Sequence, residues 1–380
     1  MKKIKISLIM ISAMIIFAGG MFLTSCDKTE LVAPNENEGL EKSAEEIVLT
    51  QNDADRELLA KIVAKALAEE DFRTIIKSEA MLMFDGDYDV LYNKVGKKQN
   101  AKGNSIESYL LNTYNQMKGK NASQSEFEKL VSFIPDFQIS VPVNCEEWDT
   151  KNYTPLVTYI PANLDEATAK TTRAFDSNGK LHILSLEKEP EMPVVVIGSC
   201  ERVDEKGEVK GQIMQISDKP IIEENDKVTR QSGMKEYVYK IKFNDLSSVE
   251  KWYLGGPEIK VAAKTSDGGI DYKTTWNFNN KRAELNDEWY YCYCFISGWY
   301  FSDPEVIHYI FYEDDSDRLE SKHTFGVSYT LAGMKISYEM EYEYGNSDKE
   351  ILEISYDTRD PKYRVYATGT TMEFGVAFWF

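Results

Sequence analysis

Glu313-Asp314-Asp315-Ser316-Asp317 places four acids within five residues, directly after the apolar run Val306 to Tyr312. Carboxylates crowded on a loop at a strand end are the donors calcium requires, because that ion takes six to eight oxygen ligands. Asp314, Asp315 and Asp317 are therefore the candidate metal ligands, with calcium as the cofactor they would hold. Without an ion the same run is a solvated acidic turn. A second acidic stretch, Asp85-Gly86-Asp87-Tyr88-Asp89, alternates like an EF-hand loop but carries Val90 and Gly96 where that loop needs Gly and Glu. It is not an EF-hand.

Aromatic residues offer the other candidate chemistry. Trp252, Tyr253, Trp276, Trp289, Tyr290, Tyr291, Tyr293, Trp299, Tyr300 and Phe301 fall within fifty residues, more than one sheet face needs for its core. Flat rings with a polar tip suit a sugar- or peptide-binding surface. Trp289, Trp299 and Tyr300 are the candidate contacts to a glycan or protein ligand.

Catalytic signatures are missing. The chain holds no Gly-x-Ser-x-Gly, His-Glu-x-x-His, P-loop or Gly-x-Gly-x-x-Gly sequence. With 63 acids, some carboxylate pair always falls at a glycosidase spacing, so spacing identifies none. His182 and His323 have no nucleophile near them in sequence and read as structural histidines. A binding or adhesion protein is expected, with a secreted hydrolase working in an interdomain cleft as the alternative.

Cys145, Cys200, Cys292 and Cys294 allow three pairings once Cys26 is set aside. Cys292 and Cys294 would leave one strand face about 7 Å apart, too far for an unstrained bond. Cys145 with Cys200 is the expected disulfide. Zinc at Cys292 and Cys294 lacks further ligands nearby, which leaves buried thiols.

The first 26 residues set the address. Lys2, Lys3 and Lys5 precede an apolar run from Ile6 to Leu23, closed by Leu23-Thr24-Ser25-Cys26. This is a secretory pattern, and its ending resembles a bacterial lipobox. That resemblance implies cleavage before Cys26 and diacylation of its thiol, so the membrane is engaged through lipid alone. The run is also long enough to be an uncleaved anchor. Removing residues 1–25, with three Lys and no acids, takes the formal charge from −19 to −22. So acidic a surface repels nucleic acid phosphates, and no nucleic acid partner is expected.

The elements behind these residues divide into an α+β, multidomain chain. Residues 26–47, rich in Glu, Asn, Pro and Gly, read as a flexible tether. Residues 48–134 read as a helical domain: Leu58, Leu59, Ile62, Val63, Ala66 and Leu67 keep helical spacing after an Asn52 or Asp53 cap. Asn104 with Glu107, and Ser123 with Glu126, have capping-box spacing. Residues 135–203 read as a small β or α+β module with a hairpin turn at Asp176-Ser177-Asn178-Gly179, and residues 204–234 as a charged linker. Residues 235–380 hold ten strand candidates. In Ile336 to Tyr344, apolar and acidic residues alternate strictly, which predicts an antiparallel β-sandwich. The ending Phe374, Val376, Phe378 and Phe380 also resembles the assembly signal of outer-membrane β-barrels, the alternative architecture for this region.

Several stretches resemble known families. Asn286-Asp287-Glu288-Trp289 before a strand and an acidic loop is similar to the calcium-dependent phospholipid-binding sandwiches of protein kinase C type, although the proline of that motif is absent. Glu79-Ala80 with Phe84-Asp85-Gly86-Asp87-Tyr88-Asp89-Val90-Leu91 resembles Bacteroidota lipoproteins carrying domains of unknown function. So do Pro155-Leu156-Val157 with Ala174 to Gly179, and Pro193 to Gly198 before Glu201-Arg202. Asp27 and Glu30 beside the anchor are similar to the acidic export signals of their surface lipoproteins. The resemblance implies an outer-membrane lipoprotein exposed at the cell surface, and it transfers no catalytic residue.

Overall fold

The computed structural model describes residues 51–119, 123–162, 164, 168–214, 233–265, 271–278, 282–298, 306–313, 320–331, 334–345, 349–357, 366–368 and 371–379. Cys26, Trp299, Tyr300, Asp314, Asp315 and Asp317 lie outside these residues, as do the signal and tether segments.

The N-terminal half is a helical layer on one face of a sheet. Helices α1 (Gln51–Ala66), α2 (Glu70–Ala80), α3 (Tyr92–Val95), α4 (Ile106–Lys118) and α5 (Gln124–Val131) accompany strands β1 (Asp89–Leu91), β2 (Phe137–Ser140), β3 (Val157–Tyr159), β4 (Thr171–Phe175), β5 (Leu181–Ser185) and β6 (Val195–Ser199). The strand order is β1-β2-β6-β3-β4-β5, antiparallel throughout except for the parallel β3–β6 pair. Leu59, Ile62, Val63, Phe72 and Phe127 from the helices share one core with Phe137, Ile139, Val157, Val195 and Ile197 from the strands. Burying a side chain such as Phe72 contributes about 2–3 kcal/mol. The break expected between residues 134 and 135 is therefore not a domain boundary, because neither helices nor strands have a core without the other.

Local signals explain several ends. Ser123 and Glu126 form the reciprocal capping box that their spacing predicts. At α4 the box shifts by one residue, to Ser105 and Ser108. Asn52 and Asp53 lie inside α1, and Asp53 Oδ1 instead accepts the Ala162 N–H at 2.9 Å. Asp176 to Gly179 closes the β4–β5 hairpin. The consecutive Val194 to Ile197 is covered on both faces, with Val195 and Ile197 against the helices and Val194 and Val196 against Trp252 and Tyr253.

The C-terminal half is a two-sheet sandwich. Strands β7 (Gln212–Ile213), β9 (Glu258–Thr265), β10 (Asp271–Asn277), β12 (Val306–Glu313) and β15 (Lys349–Asp357) form a sheet in the order β15-β12-β9-β10-β7. Strands β8 (Lys235–Phe243), β11 (Tyr290–Gly298), β16 (Tyr366–Thr368) and β17 (Met372–Trp379) form the second, in the order β11-β8-β17-β16. A further hairpin pairs β13 (Glu320–Leu331) with β14 (Met334–Gly345). Val238, Ile241, Phe243, Phe374 and Val376 of one sheet meet Ile259, Val261, Trp276, Tyr309 and Phe311 of the other in one core. The apolar alternation of the last strand thus turns Phe374 and Val376 inward. The expected linker contributes β7, which pairs in parallel with β10, so residues up to Met214 belong to the sandwich edge.

The face of the N-terminal sheet away from its helices packs on the segment that joins β8 to β9. A short 3-10 turn (Leu246–Ser248) starts this segment, and Trp252 and Tyr253 within it cover Val143, Leu186, Val194 and Val196. The Trp252 indole N–H donates to the Ser185 carbonyl at 3.1 Å.

Candidate functional site

Two places gather chemistry. The first is the junction between the halves, where the loop Asp85 to Asp89 reaches the β8–β9 segment. Asp85, Asp87, Asp89, Cys200, Arg202 and Glu258 are all buried there. The Arg202 Nε donates to Glu258, one terminal nitrogen to the Gly256 carbonyl, and the other to the Asp85 carbonyl at 3.3 Å. Asp87 Oδ2 stands 3.5 Å from the Arg202 guanidinium and accepts the Gly256 N–H at 2.8 Å. Asp87 Oδ1 accepts the N–H of Tyr88, and Asp85 Oδ1 that of Asp87. The Cys200 thiol points to Asp85 Oδ2 at 3.5 Å.

Electrostatics at this junction are unbalanced. Burial pushes all three aspartates above the usual carboxylate range. For Asp85 and Asp87 the Arg202 charge opposes the rise, whereas Asp89 climbs further because Asp85 and Asp87 repel it. Burial, and then Asp89 and Asp85, push the Cys200 thiol up, so it is protonated at neutral pH. Arg282 is buried beside them, donating to the Gly255 and Glu250 carbonyls and pairing with Glu189 at 3.3 Å. Glu250, Glu258 and Glu313 form an adjoining buried acidic group, with carboxylate oxygens within 4.8 Å of one another. Glu313 ends β12, so the acidic loop named from the sequence starts at this junction.

The second place is the outer face of the β11-β8-β17 sheet. Opposite Gly375 and Val376 of β17, strand β8 holds an extra residue, Tyr239, and β11 shifts register at the same level. This irregularity brings Tyr239 and Lys240 to one aromatic group. The Lys240 ammonium lies 4.1 Å from the Trp289 ring centroid and 5.4 Å from that of Tyr239. The Tyr239 ring neighbours Tyr291 at 6.4 Å and Tyr293 at 6.5 Å, and Tyr237 meets Phe295 edge-on at 5.5 Å. Phe295 is half exposed, and Trp289, Tyr237, Tyr291 and Tyr293 are partly exposed.

Trp289 is the candidate contact that the structure describes, and it belongs to this face. The other aromatic residues of the sequence cluster separate by role. Trp252 and Tyr253 fill the junction, while Trp276 and Tyr290 are buried in the sandwich core, with the Tyr290 hydroxyl donating to the Met214 carbonyl. The Cys145–Cys200 disulfide is not formed. Cys145 packs in the helix–sheet core and Cys200 with Leu91 and Val203 at the junction, two separate clusters, and both are free thiols. Cys292 and Cys294 are free thiols packed with the sandwich core, where burial pushes the Cys294 thiol up. His182 pairs with Asp176 at 3.2 Å and His308 is buried in β12.

Sequence reasoning missed the junction, because its acids are adjacent in sequence but their partners Arg202 and Gly256 lie more than a hundred residues on. The quoted Glu201-Arg202 pair was the available signal.

No curated protein and no solved structure matches the chain. One family description does, "Protein of unknown function (DUF3103)", over residues 61–268. That span runs from α1 to β9 and includes Asp85, Asp87, Asp89, Cys200, Arg202 and Glu258, the whole first group of the junction. Covering more than half of the sequence, the match places this chain in the DUF3103 family of proteins of unknown function.

Proposed function

We propose that this chain is a lipid-anchored envelope protein that binds a polysaccharide on the aromatic face of its sandwich. The observation that carries this reading is the surface formed by Tyr237, Trp289, Tyr291, Tyr293 and Phe295, backed from beneath by the buried Tyr239 and Lys240. Flat rings spread over adjacent strands suit the apolar faces of successive sugar rings. The address rests on the N-terminal sequence: cleavage before Cys26, diacylation of its thiol and surface display in the outer membrane. A tether over residues 26–47 could extend to about 70 Å, enough to present the face beyond the membrane. Closure of the junction weighs against a hydrolase cleft there, because the buried acids leave no room for a substrate.

Affinity electrophoresis in gels cast with soluble xylan, mannan, dextran or starch tests the binding. Retardation in at least one polysaccharide, abolished by Trp289→Ala with Phe295→Ala, is the expected result. Equal mobility in all four gels overturns the glycan reading. Loss of lipid labelling in Cys26→Ala is the expected result for the anchor, and unchanged labelling overturns it.

A further inference from the structure

Between Tyr291 and Cys294, strand β11 holds one residue more than β8 opposite it. Tyr291 pairs with Lys240 and Cys294 with Val238, so Cys292 and Tyr293 together face Tyr239. Such a bulge bends the chain locally. Tyr293 within it has φ +47°, a left-handed conformation that is unfavourable for so bulky a residue. The separation of about 7 Å between alternate residues of a regular strand therefore does not apply here. A residue in the left-handed helical region sets the Cα atoms on its two sides about 5.4 Å apart. That falls inside the span of roughly 4.4–6.8 Å that a disulfide bridges.

The side chains follow the backbone. Cys292 and Cys294 both pack with the sandwich core, Cys294 buried and Cys292 half-buried. The Cys294 thiol turns back to the Cys292 carbonyl at 3.7 Å, lies 3.8 Å from Met214 Sδ, and is in hydrogen-bonding contact with the Cys292 thiol. The Cys292 thiol donates to the Val238 carbonyl at 3.5 Å. Cys145 and Cys200 sit elsewhere, in two separate clusters.

We propose that Cys292 and Cys294 are a redox pair that closes to a disulfide by exchange with a disulfide oxidant. Cys292, the more accessible sulfur, gives up its proton and attacks one sulfur of the oxidant. The oxidant's S–S bond breaks, and the departing thiolate takes up a proton. Cys294 then attacks the Cys292 sulfur of this mixed disulfide, and its own proton passes to the second departing thiolate. Two protein thiols are oxidised and one disulfide is reduced to two thiols, two electrons in all. Burial keeps Cys294 protonated until that second step, so it resolves the mixed disulfide and does not initiate the exchange. The closed bond would fix the bulge and with it Tyr293, whose ring stands 6.5 Å from that of Tyr239. The envelope address proposed above would expose the pair to such oxidants. The exchange itself depends neither on that address nor on polysaccharide binding.

The test equilibrates the full-length protein with mixtures of oxidised and reduced glutathione, quenches it in acid, denatures it and alkylates the remaining thiols. Trypsin then releases residues 283–318, which hold both cysteines, for mass spectrometry. The expected product is that peptide lighter by two hydrogens and free of alkylating agent, while Cys145 and Cys200 stay alkylated. Its equilibrium constant with glutathione should be at least tenfold larger in the native protein than in guanidinium, because the fold brings the sulfurs together. Cys294→Ser should halt the exchange at a glutathione adduct on Cys292, and Cys292→Ser should take up none. Tyr293→Gly should keep the native constant, whereas Tyr293→Val, whose branched side chain resists the left-handed region, should lower it at least tenfold. A peptide alkylated at both cysteines in oxidised glutathione overturns the proposal. So does a bond from either residue to Cys145 or Cys200, or an equilibrium constant equal in native and denatured protein.

Discussion

Asp87 Oδ2 accepts the backbone N–H of Gly256 at 2.8 Å across 169 residues of sequence, and Gly255 passes so close that a Cβ there would stand 2.1 Å from the same oxygen. Gly255 also has φ +111°, a backbone region closed to side chains. One loop of the helix–sheet half is thereby set against one loop of the sandwich half.

Gly255→Ala should consequently destabilise the protein by about 3 kcal/mol, from backbone strain and displacement of a buried carboxylate. Because the lesion lies between the halves, the unfolding transition should also broaden or split in two. Urea unfolding followed by both circular dichroism and tryptophan fluorescence checks this, and an unchanged single midpoint would count against it.

Arg202 is the positive charge that Asp85, Asp87 and Glu258 share. Arg202→Met leaves buried carboxylates without that partner and should cost about 3–5 kcal/mol. Arg202→Lys should recover little, since a single ammonium cannot serve Glu258, Gly256 and the Asp85 carbonyl at once. Denaturant midpoints of the two variants, read beside Glu258→Gln, measure the effect. A lysine variant as stable as wild type would show that charge alone matters.

His308 is buried in β12, and burial lowers its pKa to about 4 from an ordinary 6.5. In the unfolded chain the imidazole takes a proton below pH 6.5, whereas in the folded chain it stays neutral down to about pH 4. The unfolded state therefore binds more protons in that window, and the stability that neutral His308 contributes above pH 6.5 is lost as pH falls, by about 3 kcal/mol in total. His308→Gln removes this dependence. The expected result is that the stability difference between wild type and variant shrinks steadily from pH 7 to pH 4.5, and a constant difference would refute it.

Strand alternation and capping chemistry were legible in the sequence because they are local. Ten strand positions after residue 235, the Ser123–Glu126 capping box and the Asp176–Gly179 turn all appear where their spacing puts them. The helical stripe Leu59, Ile62 and Val63 showed an apolar face but not that β3 and β6 would cover it. Strand β4, Thr171-Thr172-Arg173-Ala174-Phe175, carries little apolar alternation and borrows its order from β3 and β5. Asp85, Asp87 and Asp89 looked like an incomplete calcium loop because their partners come from distant segments, and burial, the property that gives these acids their meaning, is not a local signal.

Gly375 in β17 illustrates the same dependence on a distant neighbour, and it ties the aromatic face to the strand beneath it. A Cβ there would lie 2.7 Å from Tyr239 Cε1 and 3.1 Å from Lys240 Cγ. The Tyr239 ring is held beside Tyr291 and Tyr293, so it has no room to slide along the sheet and must lift outward. Gly375→Ala should cost about 1–3 kcal/mol as an overpacking substitution and weaken any polysaccharide retardation. Adding Tyr239→Ala relieves the clash, so the double variant should be no less stable than Tyr239→Ala alone, a coupling visible in a double-mutant cycle. If the two losses add instead, the contact between Gly375 and the Tyr239 ring does not set the geometry of this face.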